Sequence, residues 1–398
     1  MREICRSVLV GVLVSAIGLV SCGGSDGGSE SVVGRAEGYS AWKEYLLKTS
    51  SDAPGTELAA SNGNLLLGQI ETFSNEGEII NSDWFRVDIA TGQSTRIQLP
   101  DPRLSIQQIH GVVDGFLLVA ERCPEGLIFE SSECFDSEFY FLGAEAEHWV
   151  PVKTPVELGS TDRDVVFRNM TLGLQHGSNV LVGSTMRPVG SGSPPGDEWF
   201  VLRWRNQELT VESTLSQMVG WPACIAGDNL YSFKEDTSGV TVQSLTDIAK
   251  RNLIKFADSV DTSHSGAGLS LGCTSHGAFL ISREPRLGGE VRVFPLVKAG
   301  GSLLLDSITT DNYIEEVASA ADKIVIRTRG LHGKSVDTAV AFTSNLKEAK
   351  LPATVAHSRL AVDGANGDIY AVGPLSSAIS RESGGTKYSV QDIQITKI

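Results

Sequence analysis

Val113-Asp-Gly-Phe-Leu-Leu-Val-Ala-Glu121 is the stretch that decides the fold of this 398-residue chain. A polar Asp-Gly pair separates the apolar run Ile106–Val113 from a second apolar run that begins at Phe116. Two β-type runs around a tight polar turn predict a β-hairpin. Such second runs begin near Leu65, Phe116, Val180, Leu230, Phe279, Ile324 and Ile369. These starts therefore indicate seven units that repeat about every 45–60 residues.

Each unit continues past its hairpin with a polar loop and a third β-type run. The third runs are Trp84–Ile89, Glu138–Leu142, Trp199–Trp204, Val240–Leu245, Glu290–Val297, Thr338–Thr343 and Tyr388–Ile393. A fourth run follows in several units, as at Thr95–Leu99 after the turn residues Asp88–Gly92. Short antiparallel strands in this order favour blades packed radially, because that packing buries both faces of each sheet. We therefore predict an all-β, seven-bladed β-propeller with four-stranded antiparallel blades over residues 37–398, with a pair of β-sandwich domains as the alternative.

The last unit lacks a fourth run. In known propellers one end of the chain often completes the blade at the other end. That resemblance implies that residues near Tyr45–Lys48 form the outer strand of the seventh blade. A short amphipathic helix is the alternative, because Trp42, Tyr45 and Leu46 have helical spacing.

The N-terminus has the layout of a secretory signal peptide, with Arg2 and Arg6 before an apolar run from Val8 to Val20. Its end, Leu-Val-Ser-Cys at 19–22, resembles a bacterial lipobox. The resemblance implies cleavage after residues 1–21, a diacylglycerol thioether on Cys22 and an acyl group on its new amine. Residues 22–36 then form a flexible Gly/Ser tether. A transmembrane anchor and a plain secretory signal are the alternatives, although the run is shorter than the roughly 20 residues of a spanning helix.

Net charge limits the partners. The chain carries −15, and removal of residues 1–21 takes away two arginines and one glutamate, which leaves −16. An acidic protein is poorly suited to nucleic acid and to anionic membrane surfaces. We therefore expect an exported, extracytoplasmic protein held at the cell membrane by the lipid on Cys22, with a protein or glycan partner and no nucleic acid.

The cysteine count predicts disulfides. The six cysteines are Cys5, Cys22, Cys123, Cys134, Cys224 and Cys273. The first leaves with the signal peptide and the second takes the lipid, so four remain, which in an exported chain allows three pairings. Cys224 and Cys273 each lie six residues before a second run, on first strands that would be neighbours in the ring. We therefore favour a Cys224–Cys273 bond, and a local Cys123–Cys134 bond across one long loop.

The face with the long loops is the candidate binding surface. Cations recur where second runs enter these loops. They are Arg122, Arg187, Lys234, Arg283 with Arg286, and Arg327 with Arg329. A ring of such cations would suit carboxylates, phosphates or uronic acids, and pairing with nearby acidic residues is the alternative. Trp221 and His264, in links between blades, are further candidates on this face.

No pattern in the sequence identifies a reaction. The histidines lack metal-ligand spacing, and neither a nucleophile elbow nor a phosphate-binding glycine loop occurs, so no metal and no cofactor are expected. The repeats of named propeller families are also missing. A binding or scaffold module is therefore the leading hypothesis. The alternatives are an enzyme acting on carbohydrate or peptide, with His110, His264, Asp363 and Glu121 at the channel mouth, and a sensor that carries a small ligand or a metal.

Overall fold

The structure is a computed structural model. It describes residues 34–35, 58–73, 79–101, 104–122, 135–155, 158, 166–175, 177–186, 198–215, 223–233, 239–256, 269–284, 290–296, 303–304, 312–320, 322–330, 337–343, 345, 347–374, 379–383, 386–390 and 393–398. These residues are nearly all β, and the short helix α1 at Ala353–Ala356 is the α-helix among them. The described part of the chain contains no helix with the length and apolarity that crossing a membrane requires.

The strands form seven blades arranged in a ring, which confirms the predicted seven-bladed β-propeller with four-stranded antiparallel blades. The first strand of each blade is the innermost one. In blade order, these are β2 (Leu58–Ser61), β6 (Leu104–Val112), β10 (Val166–Gln175), β14 (Ala223–Ala226), β18 (Leu269–Thr274), β22 (Asn312–Ser319) and β26 (Arg359–Val362). The second strands are β3 (Asn64–Phe73), β7 (Gly115–Arg122), β11 (Ser178–Met186), β15 (Asn229–Phe233), β19 (Gly277–Glu284), β23 (Lys323–Gly330) and β27 (Ile369–Pro374).

The third and outer strands complete each sheet. The third strands are β4 (Ile79–Asp88), β8 (Phe135–Gly143), β12 (Glu198–Arg205), β16 (Gly239–Ser244), β20 (Glu290–Pro295), β24 (Thr338–Thr343) and β30 (Ile393–Lys397). The outer strands are β5 (Ser94–Ile97), β9 (Val150–Val152), β13 (Glu208–Leu215), β17 (Arg251–Lys255), β21 (Leu303–Leu304), β25 (Glu348–Lys350) and β1 (Gly34–Arg35). All seven predicted second-run starts fall within second strands.

The two ends of the ring are defined by the connections. We call the end where a first strand passes into a second strand the turn face, because most of these connections are two-residue turns. At Asn62–Gly63 both φ angles are positive, 49° and 71°, which is the backbone of a tight hairpin turn. The opposite end, where second strands pass into third strands and one blade passes to the next, is the loop face.

The seventh blade differs from the prediction in two respects. Its third strand is β30 at Ile393–Lys397, not Tyr388–Ile393, because Thr386–Val390 (β29) pairs instead with Ile379–Ser383 (β28) in an inserted hairpin that reaches β3 of blade one. The outer strand comes from the N-terminal part of the chain, as predicted, but it is Gly34–Arg35, which pairs with β30 and lies in the segment 22–36 that was predicted to be a tether. The segment Tyr45–Lys48 lies outside the described residues.

The core consists of seven apolar clusters, one between each pair of neighbouring blades. Trp84, Trp199 and Trp204 lie in three of these clusters and are at most 2% exposed. These tryptophans therefore pack between blades. Burial of the blade faces against each other removes the apolar surface that a single blade would expose.

Blades four and five are joined by the predicted disulfide. Cys224 on β14 and Cys273 on β18 are bonded, with Cα atoms 5.7 Å apart. Both residues lie on innermost strands, so the bond faces the central channel. Cys123 and Cys134 lie outside the described residues.

Loss of this disulfide should destabilise the ring. The bond closes a long loop, with 49 residues of sequence separation. We expect the Cys224→Ser/Cys273→Ser variant to lose about 3 kcal/mol of unfolding free energy, because an open chain gains entropy when it unfolds. Denaturant unfolding without reductant measures this change. The Cys123→Ser/Cys134→Ser variant is the matched control, since that predicted bond closes a much shorter loop and should matter less. Equal losses in the two variants would contradict the prediction.

Candidate functional site

The central channel holds a cavity of about 520 Å³. Its wall is built by the innermost strands of the blades. Apolar side chains form much of this wall, among them Leu58, Ile109, Leu172, Ile225, Leu271 and Leu360. The volume falls within the range of pockets that hold small ligands.

The turn of blade seven reaches across part of the channel on the turn face. It runs from Asp363 to Asp368, six residues where the other blades use two or three. The Gly364 N–H donates to the carbonyl of Ala60 in blade one at 3.0 Å. The Gly364 carbonyl accepts from the Asn179 side-chain amide in blade three at 2.9 Å. Because blade three is three places around the ring from blade seven, this turn reaches over the blades on that side of the channel.

Asp363 holds the blade-seven turn in shape. Its carboxylate accepts backbone N–H groups from Asn62 at 3.1 Å, Gly63 at 3.0 Å and Ala365 at 2.8 Å. The side chain is 1% exposed. A buried carboxylate is stable when several N–H groups donate to it, so Asp363 joins the turn of blade one to the turn of blade seven.

Hydrogen bonds continue this fastening from blade one to blade three. The Ser61 hydroxyl donates to the Val112 carbonyl at 2.6 Å, and the Asn62 side-chain amide donates to the Val113 carbonyl at 2.7 Å. The Val113 N–H then donates to Oδ1 of Asn179 at 2.6 Å.

The remaining seams of the ring are also bridged. Gln175 donates to Asp228 between blades three and four, and the disulfide joins four to five. Between five and six, the Cys273 N–H donates to the Ser319 hydroxyl at 3.0 Å. Between six and seven, the Lys323 ammonium donates to the Ile398 carbonyl at 2.9 Å. Every pair of neighbouring blades is therefore fastened by polar or covalent contacts in addition to its apolar core.

Among the described residues that line the cavity, His110 is the one histidine. Its Nε2 lies 3.2 Å from Oε1 of Gln108, which makes Nε2 the donor and leaves Nδ1 of the neutral ring as an acceptor. Burial lowers the pKa of His110 to about 4, because the charged imidazolium would lose its hydration. The ring is therefore neutral at physiological pH.

Acid should destabilise the protein through His110. The folded-state pKa lies below the ordinary value of 6.5, so the unfolded chain binds the proton more readily as the pH falls from 6.5 towards 4. The stability present above pH 6.5 is lost over that window. We expect the His110→Gln variant to lose about 2 kcal/mol less unfolding free energy than the wild type between pH 7 and pH 4.5. Denaturant titrations at the two pH values test this, and an identical loss in both proteins would contradict it.

Arg122 is held in an ion-pair cluster within blade two. Its Nε and Nη2 atoms donate to the two Glu138 oxygens at 2.6 and 2.8 Å, and its Nη1 atom donates to Asp101 at 2.7 Å. The hydrogen bonds to Glu138 and Asp101 raise the pKa of Arg122. The hydrogen bond from Arg122 in turn lowers the pKa of Glu138. Burial raises the pKa of Tyr140, which donates to Glu138, to about 12.

Arg327 is held in the same manner within blade six. Its guanidinium donates to Glu316 at 3.0 Å and to Glu315 at 2.7 Å, and its side chain is 9% exposed. Arg329 lies 3.7 Å from the second oxygen of Glu315. Burial raises the pKa of Glu316, and Arg327 opposes that shift. The carboxylate also accepts the Leu360 N–H of blade seven at 3.3 Å, so this ion pair helps to fasten the ring.

The structure thus describes the side chains of three of the predicted cations. Arg122, Arg327 and Arg329 each contact carboxylates, which is the alternative that the sequence allowed for them. Arg283 lies in β19, and its side chain is not described. The other predicted residues of this face, Arg187, Lys234, Arg286, Trp221 and His264, lie outside the described residues. The anion-binding ring stays a prediction.

The residues offered for catalysis do not form one group around the cavity. His110 and Asp363 both line it, but the Asp363 carboxylate is occupied by three backbone N–H groups. Glu121 is 2% exposed on β7, a second strand, and is absent from the lining of this cavity. Within the described ranges no three His, Cys, Asp or Glu side chains cluster as a metal site.

Charge in the cavity has one sign. Its lining includes the carboxylates of Glu316 and Asp363 and no lysine or arginine among the described residues. Sequence reasoning missed Asn179 and Glu316, which fasten the ring from the channel side. The sequence held a signal for the blade-seven turn alone, because Asp363-Gly-Ala-Asn-Gly-Asp368 is longer than the turns between the first and second strands of the other blades.

Comparison with known proteins gives weak structural likenesses and no match in sequence. No protein-family model matches the chain, and no curated protein matches it in sequence. A structure from a study of two prolyl endopeptidases is 14% identical with a TM-score of 0.48, over 85% of this chain and 45% of that one. An acylaminoacyl peptidase from Pyrococcus horikoshii is 13% identical with a TM-score of 0.42, over 74% and 44%. This chain thus spans less than half the length of either peptidase. The β-propeller domain of the Trilobed protease from Pyrococcus furiosus is 11% identical with a TM-score of 0.42, over 75% and 83%.

Proposed function

We propose that this protein is a lipid-anchored, extracytoplasmic β-propeller that acts as a binding or scaffold module for a protein or an envelope glycan. One observation carries the proposal: every seam of the ring is fastened by polar or covalent contacts, many of them on the turn face. A rigid ring fixes the strand ends that border the opposite face. A scaffold that does not deform loses little entropy when it binds a large partner, and binding residues are often carried on such a frame.

The anchor rests on the sequence around Cys22. A cleaved and lipidated N-terminus would hold the protein at the membrane, and two or three acyl chains give stable attachment where one does not. Mass spectrometry of the mature protein tests this directly. We expect a first residue of Cys22 carrying diacylglycerol and an acyl group. A mature protein that begins at a serine or glycine without lipid would contradict the anchor.

Photo-crosslinking in intact cells tests the binding role. Ala353 on α1 is exposed and lies in the link between blades six and seven, on the loop face. Lys347 is also exposed but lies in the turn between the third and outer strands of blade six, on the turn face. We expect benzoylphenylalanine at Ala353 to capture a partner, and the same residue at Lys347, the matched control, to capture none. Equal capture at both positions, or none at Ala353, would contradict a partner on the loop face.

A further inference from the structure

We propose that the central cavity is a second binding site, which takes one uncharged small molecule with both apolar and polar groups that donates a hydrogen bond to Nδ1 of His110. The site is separate from the partner surface on the loop face. It therefore does not rest on the proposed binding role.

The shape of the cavity supports a small ligand. The blade-seven turn covers the side of the channel next to blades one to three, where Gly364 bonds to Ala60 and Asn179. The lining extends around the rest of the ring to Gly227, Ser275 and Ala320. The volume of about 520 Å³ leaves room for a molecule of two or three fused or linked rings.

The apolar part of the wall supports a ligand with an apolar body. Leu174, on the innermost strand β10, is 43% exposed although it lines the cavity. Leu172 lies two residues before it on the same face of the strand. Apolar side chains left open to a cavity gain free energy when a ligand displaces the water that covers them.

The charges support a ligand without a negative charge. The lining carries the carboxylates of Glu316 and Asp363 and, among the described residues, no cationic side chain. The carboxylate of Glu316 is matched by Arg327, and that of Asp363 by backbone N–H groups. An anion would enter a cavity whose described lining carries two carboxylates and no cationic side chain, which is electrostatically unfavourable.

His110 supplies the hydrogen-bonding group. Its Nδ1 bonds to none of the residues that the structure describes, whereas Nε2 contacts Gln108. A neutral imidazole nitrogen accepts an N–H or O–H donor. One such contact would orient a ligand that is otherwise held by apolar surface.

Two fluorescent probes that differ by one charged group test the inference. N-phenyl-1-naphthylamine is neutral and carries an N–H donor, and 8-anilino-1-naphthalenesulfonate has the same rings with a sulfonate. The protein is the full chain with Cys22→Ser, which removes the proposed lipid, so no detergent is needed. We expect saturable binding of the neutral probe and binding of the sulfonate that is weaker by about tenfold or more.

Variants place the probe in the cavity. We expect Leu174→Lys to weaken binding of the neutral probe by about tenfold and to strengthen binding of the sulfonate, because it puts a cation into the wall. Leu253→Lys is the matched control, since Leu253 is 41% exposed on the outer strand β17, away from the cavity. His110→Leu should weaken the neutral probe by about fivefold, the effect of one hydrogen bond.

Each outcome bears on the inference. Saturable binding of the neutral probe that Leu174→Lys weakens and Leu253→Lys leaves intact supports the site. Absent binding, equal binding of both probes, or equal effects of the two lysine variants would overturn it. Crosslinking from Ala353 is an independent measurement. No crosslink at Ala353 together with saturable probe binding would reject the loop-face partner alone. A crosslink at Ala353 without probe binding would reject the cavity site alone.

Discussion

The Asp363→Ala variant is expected to lose about 4 kcal/mol of unfolding free energy, since three N–H groups at a buried site lose a charged acceptor together. The carboxylate joins Asn62 and Gly63 of blade one to the turn of blade seven at 3.0–3.1 Å. Water cannot replace it easily, because the side chain is 1% exposed. Denaturant unfolding measures the change, and Asp363→Asn should lose about half as much because one acceptor oxygen remains.

Asp88→Ala is the matched control for this prediction. Asp88 caps a similar turn, accepting the N–H groups of Ala90 at 2.8 Å and Thr91 at 3.1 Å. That turn is exposed and joins two strands of one blade. We expect the control to lose about 1 kcal/mol, since water takes over the freed donors. Similar losses at Asp363 and Asp88 would show that the contact between blades contributes little.

The Gly111→Ala variant should lose as much unfolding free energy as Asp363→Ala, for a steric reason. A Cβ at residue 111 would lie 1.7 Å from the carbonyl oxygen of Ala60, and a Cβ at Gly364 would lie 1.8 Å from the carbonyl oxygen of Gly111. Three backbones from blades one, two and seven are therefore stacked without side chains between them. The obstructing atoms belong to backbone, so they cannot rotate away. We expect a loss of about 4 kcal/mol, at the upper end for overpacked cores.

Gly143→Ala is the control in the same blade. The nearest atom to a Cβ there is the Ala146 Cβ at 3.4 Å, an ordinary contact. We expect its unfolding free energy to stay within about 0.5 kcal/mol of the wild type. A Gly111→Ala protein that unfolds at the same denaturant concentration as Gly143→Ala would contradict the stacking.

Much of the ring could be predicted from short-range patterns. Tight turns such as Asn62–Gly63 leave a signal in two residues, and the apolar runs beside them fix the strands. The Cys224–Cys273 bond followed from the same register, because both cysteines stand at one position of the repeat. The error in blade seven has a related cause. Thr386–Val390 does form a strand, but in an inserted hairpin that pairs towards blade one.

The site was harder to predict because its contacts are long-range. Arg327 and Glu316 are direct partners across neighbouring strands, which only the strand register reveals. Asp363 meets Gly63 across 300 residues of sequence, and Asn179 meets Gly364 across 185. No local pattern records such a pairing. The sequence could therefore predict where cations lie along the chain but not which of them are neutralised.

Blade seven has a consequence for how the nascent chain matures. Its third strand leaves the ribosome after the other described strands, whereas the two residues that pair with it, Gly34–Arg35, leave before them. Six blades can assemble during synthesis, because each is built from contiguous sequence. Gly34–Arg35 has no strand to pair with until β30 has been made. Until the ring closes, the blades at its two ends each expose an apolar face. Closure joins segments that are far apart in sequence and is therefore slow, so aggregation is most probable during this interval.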